Sequence, residues 1–192
     1  MKRNKKIYIY TFITLILIFF ASFLFTESAE IKEVITTSKC EKFSPKISSK
    51  DGERIEEIIS TMANTSTLGL AFKSKHLRRL GDEVDKKVPP LEFLAYIFSH
   101  PQLAEYMARI QTSGFKYNGF VEGLQGNLMK LHKQGCLEEQ GKEFAKYLNL
   151  DAKKIVSLLQ KGAEKAIKNN DKRAFKDLVT YLITEKSKSS HN

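Results

Sequence analysis

The chain has 192 residues, with 32 lysines and arginines against 22 aspartates and glutamates, a formal net charge of +10, two cysteines and four histidines. The cationic excess admits anionic partners, yet lysine outnumbers arginine 26 to 6. Lysine lacks the planar fork that reads bases and phosphates in pairs, which argues against a sequence-specific nucleic-acid reader. Scattered histidines without a CxxC, HExxH or glycine-rich phosphate loop give no reason to expect a metal or other cofactor.

Lys2, Arg3, Lys5 and Lys6 precede an uncharged run from Ile7 to Phe25 that ends at Thr26-Glu27-Ser28-Ala29. Nineteen uncharged residues at about 1.5 Å each roughly span a bilayer core. Residues 1–28 read as a signal peptide or as an N-terminal signal anchor, and the two readings stay open. Thr26 and Ser28 suit a cut before Ala29, whereas Glu27 and the length of the run weigh against one. Membrane contact runs through residues 7–25 if the segment is kept. Either way the rest of the chain is translocated, which places the protein outside the cytoplasm, secreted, periplasmic or anchored. That remainder, 164 residues carrying a net +7, is enough for one domain.

Residues 29–50 are mixed in charge and serine-rich, and read as a linker. They contain Cys40; the other cysteine is Cys136. An oxidising compartment can pair the two. The closed loop would then stabilise the domain by up to about 4–5 kcal/mol and pin the linker to the body; two free thiols are the alternative. Lipid attachment at Cys40 is set aside because Lys39 precedes it and the apolar run ends far upstream.

From residue 51 to 186 a helical period takes over, predicting an all-α bundle of about seven or eight helices after the N-terminal hydrophobic segment, with 187–192 as a disordered tail. Ile55, Ile58, Ile59 and Met62 line a helix over 52–64. Thr65, Ser66 and Thr67 can cap the next, 67–87, striped by Leu70, Leu77, Leu80 and Val84 and flanked by Lys73, Lys75, Arg78 and Arg79; Pro89-Pro90 ends it. Residues 91–98 are apolar on every side except Glu92, which suits the centre of a bundle. Ser99 and Gln102 have capping-box spacing around Pro101, which opens a helix carrying Leu103, Met107 and Ile110.

The stretch Gly114–Phe120 reads as an ordered loop with Asn118 as a cap. In the helix after it, Gly119, Gly123 and Gly126 recur on one stripe. Each glycine weakens a helix by roughly 0.8–1 kcal/mol relative to alanine, so that stripe predicts close helix packing or a partner's backbone. Gly135 ends the helix and 137–148 forms another. Asp151 caps a helix over 152–169, where Lys153, Lys154, Lys161, Lys165 and Lys168 share one face. Lys172, Arg173 and Lys176 continue that side into a last helix capped by Asp171. The basic face fits an anionic envelope polymer or a membrane surface, or simply a solvated helix.

No nucleophile–histidine–carboxylate arrangement is legible, and no catalytic residue is assigned. The functional expectation is a non-catalytic interaction module, secreted or membrane-tethered, that binds a protein partner or an anionic surface. Two alternatives are an envelope enzyme such as a glycosidase, with Glu92 as a carboxylic acid kept protonated by its apolar helix, and a secreted factor acting on host or neighbouring cells. As an early helical residue, Glu92 is also explained by the helix dipole alone.

Overall fold

The computed structural model describes residues 40–189; the apolar run at 7–25 and the last three residues lie outside the described part. The described residues form eight helices and no strand: α1 (Ser49–Asn64), α2 (Thr67–Asp85), α3 (Pro90–Ser99), α4 (Pro101–Thr112), α5 (Gly114–Lys133), α6 (Leu137–Tyr147), α7 (Ala152–Asn169) and α8 (Lys176–Ser189).

Local chemistry sets most boundaries. The Ser48 hydroxyl accepts from the Asp51 N–H at the start of α1, the Ser66 hydroxyl accepts from the Gly69 N–H at the start of α2, and the Asp151 carboxylate accepts from Lys153 and Lys154 N–H at the start of α7. Proline occupies the first position of α3 and of α4, where its missing N–H costs nothing. Gly135 ends α5 with φ +71°, and Asn170 ends α7 with φ +49°, the left-handed conformation these two residue types tolerate best.

Short α3 is the hub. It touches α1, α4, α5, α6 and α8, and Leu91, Leu94, Ala95, Ile97 and Phe98 are all buried, as expected for a helix without a polar face. Around it α6 packs along α7, α1 against α2 and α4, and α8 against α4 and α7. Two glycines permit the tightest approaches among the outer helices: a Cβ on Gly162 of α7 would lie 2.5 Å from the Phe175 ring, and one on Gly141 of α6 would lie 2.7 Å from Leu159 Cδ1.

Several boundaries differ from the sequence reading. Gly114–Phe120 is the first part of α5 and no loop, with Asn118 inside the helix. Burial of Tyr117 outweighs the glycines: its hydroxyl meets Thr180 Oγ1 at 2.6 Å and donates to the Lys176 carbonyl at 3.0 Å. No capping box forms at Pro101. Ser99 Oγ donates back to the Tyr96 carbonyl, and Gln102 reaches Tyr106. Asp171 caps the turn at 172–175, with α8 starting only at Lys176. At the other end helix continues to Ser189, through the first part of the expected tail.

Of the expected linker, residues 29–39 lie outside the described part, and residues 40–48 lie on the body as a strap. Cys40 and Cys136 are joined with S–S 2.10 Å. The Phe43 ring packs edge-on against Phe144 and Tyr147 at 6.3 and 6.0 Å, and Gln140 Nε2 donates to the Glu41 carbonyl at 3.0 Å.

Candidate functional site

An apolar groove of about 510 Å3 runs between α2 and α5, closed below by α1 and α3. Leu77, Gly81 and Val84 form one wall, and Gly119, Gly123 and Leu124 the other. Phe93 and Phe120 stack across its floor at 6.1 Å. Arg78, Asp85 and Asn127 bring the polar groups; burial raises the Asp85 carboxyl above its ordinary range despite the hydrogen bond from Asn127.

This groove gives the glycine stripe its place. A Cβ on Gly119, Gly123 or Gly126 would meet no atom within 4 Å, and neither would one on Gly81 opposite. The close helix packing expected of these three residues is therefore absent. Gly119 and Gly123 line open space, and what they avoid is filling it. The glycines on which another segment packs closely are instead Gly52, Gly141 and Gly162.

The five lysines of α7, Lys153, Lys154, Lys161, Lys165 and Lys168, are all exposed, as are Lys172, Arg173 and Lys176. Two of these eight cations are engaged at home. Lys165 Nζ pairs with Asp177 at 2.7 Å, and Lys176 Nζ lies 5.9 Å over the Tyr117 ring. Such pairing dilutes the face without removing its sign.

Glu92 sits under the strap. It is 4 % exposed, its Oε1 accepts from the Ser44 N–H at 3.1 Å, and its Oε2 has no hydrogen-bond partner among protein atoms. Burial pushes its carboxyl up, the Ser44 N–H pulls against this, and nearby Glu41 adds to the rise. It lines neither the α2–α5 groove nor the more polar groove of about 420 Å3 beside the disulfide. A glycan could not reach it with the strap in place. Among the described residues no cluster of three or more histidine, cysteine or acidic side chains is placed to hold a metal ion, and no helix is long and apolar enough to cross a membrane.

The outward face of α2 escaped the sequence reading. Leu68 is 78 % and Phe72 91 % exposed. A helical wheel carries the signal. Leu77 and Val84 lie roughly 140–180° from Leu68 at 100° per residue, so the stripe that faces the body excludes Leu68 and Phe72.

Comparison with known proteins finds no matching solved structure. A protein of Chlamydia pneumoniae described as a probable lipoprotein is 25 % identical over 119 residues, 62 % of this chain and 54 % of that protein, so the chain spans about half the length of that relative. A family model covers residues 47–185, from the end of the strap almost to the end of α8, and by that match the chain belongs to a family of unknown function, DUF8085.

Proposed function

We propose that this protein is a non-catalytic extracytoplasmic interaction module, membrane-tethered or secreted, whose α2–α5 groove receives a protein partner. The observation that carries the reading is the groove itself: glycines with room for a side chain on both walls, over an aromatic floor. Helices that spend roughly 1 kcal/mol per glycine to keep such a channel open are shaped for something that enters it. A partner's apolar segment would cover Phe93 and Phe120, while Arg78 and Asp85 fix its polar flanks.

The description of the Chlamydia pneumoniae relative as a probable lipoprotein supports a place outside the cytoplasm. The same attachment does not transfer. Both cysteines of this chain are joined in the Cys40–Cys136 bond, so the tether in this reading is the apolar run at 7–25. The α7 lysines would add an anionic envelope polymer as a second, salt-sensitive contact.

The test is made in the native host. A photo-crosslinker at Met62 is expected to trap an envelope protein, and Gly119→Leu with Gly123→Leu, which fill the groove, should abolish the crosslink while leaving the melting midpoint at or above that of wild type. Intact mass by fraction, without reductant, should show a species lighter by two hydrogens in membrane or medium. A reduced chain in the cytosol, or a crosslink indifferent to the filled groove, refutes the proposal.

A further inference from the structure

Three of the large apolar side chains left exposed gather around the turn between α1 and α2. Leu68 and Phe72 stand on the first half of α2, and Phe115, 71 % exposed, opens α5. Lys116 Nζ donates to the Thr65 carbonyl at 2.6 Å and so brings the first turn of α5 to the foot of α2. With Leu68 at zero on the wheel, Arg79 falls at about 20°, Phe72 at about 40° and Lys75 at about 340°. Two protruding apolar side chains thus share a stripe with two cations, and Lys73 and Arg78 lie on the same stretch of helix. No acidic residue occurs anywhere between Glu57 and Asp82.

We infer that the outward face of α2 docks on an anionic lipid surface, with Leu68 and Phe72 entering the acyl boundary while Lys75 and Arg79 meet headgroup phosphates. The inference rests on the extracytoplasmic, membrane-adjacent reading above. Sign and shape choose the occupant. The face has an acid at its edge, Glu57, whose carboxylate meets His76 Nε2 at 2.6 Å, but its cations outnumber that acid; the net sign is complementary to lipid phosphate, and long basic side chains lay their stems along the apolar layer while the charge stays at its rim. Phe72 protrudes, as a wedge into a fluid layer does, whereas a protein partner is better served by the concave groove on the other side of the same helix. Fourteen residues, 26–39, separate the apolar run from Cys40, a length of chain that can extend to at most about 50 Å.

The chain contains no tryptophan, so Phe72→Trp creates a sole reporter at a solvent-exposed position that the fold does not use. The full chain carrying it is reconstituted into vesicles of phosphatidylglycerol with phosphatidylcholine and into pure phosphatidylcholine vesicles, with and without brominated acyl chains. Expected on the anionic vesicles are a blue shift and bromine quenching of the indole in the Phe72→Trp protein, both lost in pure phosphatidylcholine and at high salt. Lys75→Glu with Arg79→Glu should lower the docking constant roughly thirtyfold or more. A second single-tryptophan protein, Ile167→Trp on the exposed side of α7, tests the opposite orientation. Quenching in the Ile167→Trp protein with none in the Phe72→Trp protein overturns the inference. So does a solvent-like indole in the Phe72→Trp protein on anionic vesicles that the chain floats with, which leaves the tether standing. Flotation with anionic vesicles alone supports docking and removes the tether. If the α2 reporter ignores every vesicle but shifts with an envelope protein extract, the face belongs to a protein and the lipid reading is overturned.

Discussion

Glycine-to-alanine substitutions separate the two kinds of glycine in this fold. At Gly123 the new methyl group meets nothing within 4 Å, so only the helix term remains, a gain of roughly 0.8–1 kcal/mol. At Gly162 it lies 2.5, 2.7 and 3.1 Å from Phe175 Cδ1, Cε1 and Cγ, and Phe175 is fully buried. The ring cannot step aside into solvent, so overpacking costs about 1–3 kcal/mol, offset by up to about 1 from helix propensity. Gly141 falls between, because its neighbour at 2.7 Å is the terminal methyl of Leu159, which can rotate. For a body of this size about 2–4 °C accompanies each kcal/mol. Thermal melts followed by circular dichroism should therefore rank Gly123→Ala above wild type, Gly141→Ala close to it and Gly162→Ala below. A loss of stability at Gly123→Ala would mean that something packs on that glycine, and the open groove, with the function built on it, would fall.

Replacing both cysteines, Cys40→Ser with Cys136→Ser, removes a cross-link across 96 residues and should lower the unfolding free energy by about 4–5 kcal/mol in denaturant titrations; an unchanged midpoint would show that the strap does not constrain the unfolded chain. Reversing Lys154, Lys161 and Lys165 to Glu should weaken retention on an immobilised polyanion at low salt by roughly a hundredfold, whereas equal elution of both proteins retires the basic face. Glu92 binds its proton more tightly folded than unfolded, so the native state holds the extra proton once pH exceeds the ordinary carboxylate value. Stability should then fall as pH rises from about 4.5 through the raised folded value and level off beyond it, a slope missing from Glu92→Gln; parallel profiles between about pH 4 and pH 8 would contradict the burial argument.

What the sequence made legible was local or periodic. The Ser66 and Asp151 caps, the stop at Gly135 and the central place of α3 each follow from a few adjacent residues. The all-α class follows from the repeating apolar spacing. The start of α5 was not legible because Tyr117 is held by Thr180 and Lys176, some sixty residues away, and a bond of that range overrides glycine propensity without leaving a local trace. For the glycine stripe the sequence names the residues and leaves the neighbour open, a packed helix or a partner. Spacing shows that Gly119 and Gly123 share a side of the helix, but not whether that side meets a backbone or a void. Leu68 and Phe72 carry no local mark of exposure, and only their angle against Leu77 and Val84 sets them outside the core.

The strap joins the disulfide to the buried acid. Ordering nine residues, 40–48, costs about 1–2 kcal/mol each. Two long-range hydrogen bonds, from Gln140 to Glu41 and from Ser44 to Glu92, return only about 1 kcal/mol apiece. Phe43, half-buried between Phe144 and Tyr147, and Ile47 add apolar contact with the core. The Cys40–Cys136 bond fixes one end, so that these contacts form within a short tether. It also passes any pull on the chain before Cys40 to the α5–α6 turn and spares the strap from being peeled off α3. Reduction should release the strap while the helical body persists, and Glu92 would then be solvated and titrate in the ordinary range. The pH slope assigned to Glu92 should accordingly vanish in Cys40→Ser, a protein whose Glu92 is untouched. If the slope survives there, the helices around α3 bury the carboxyl on their own, and the strap is only a passenger on their surface.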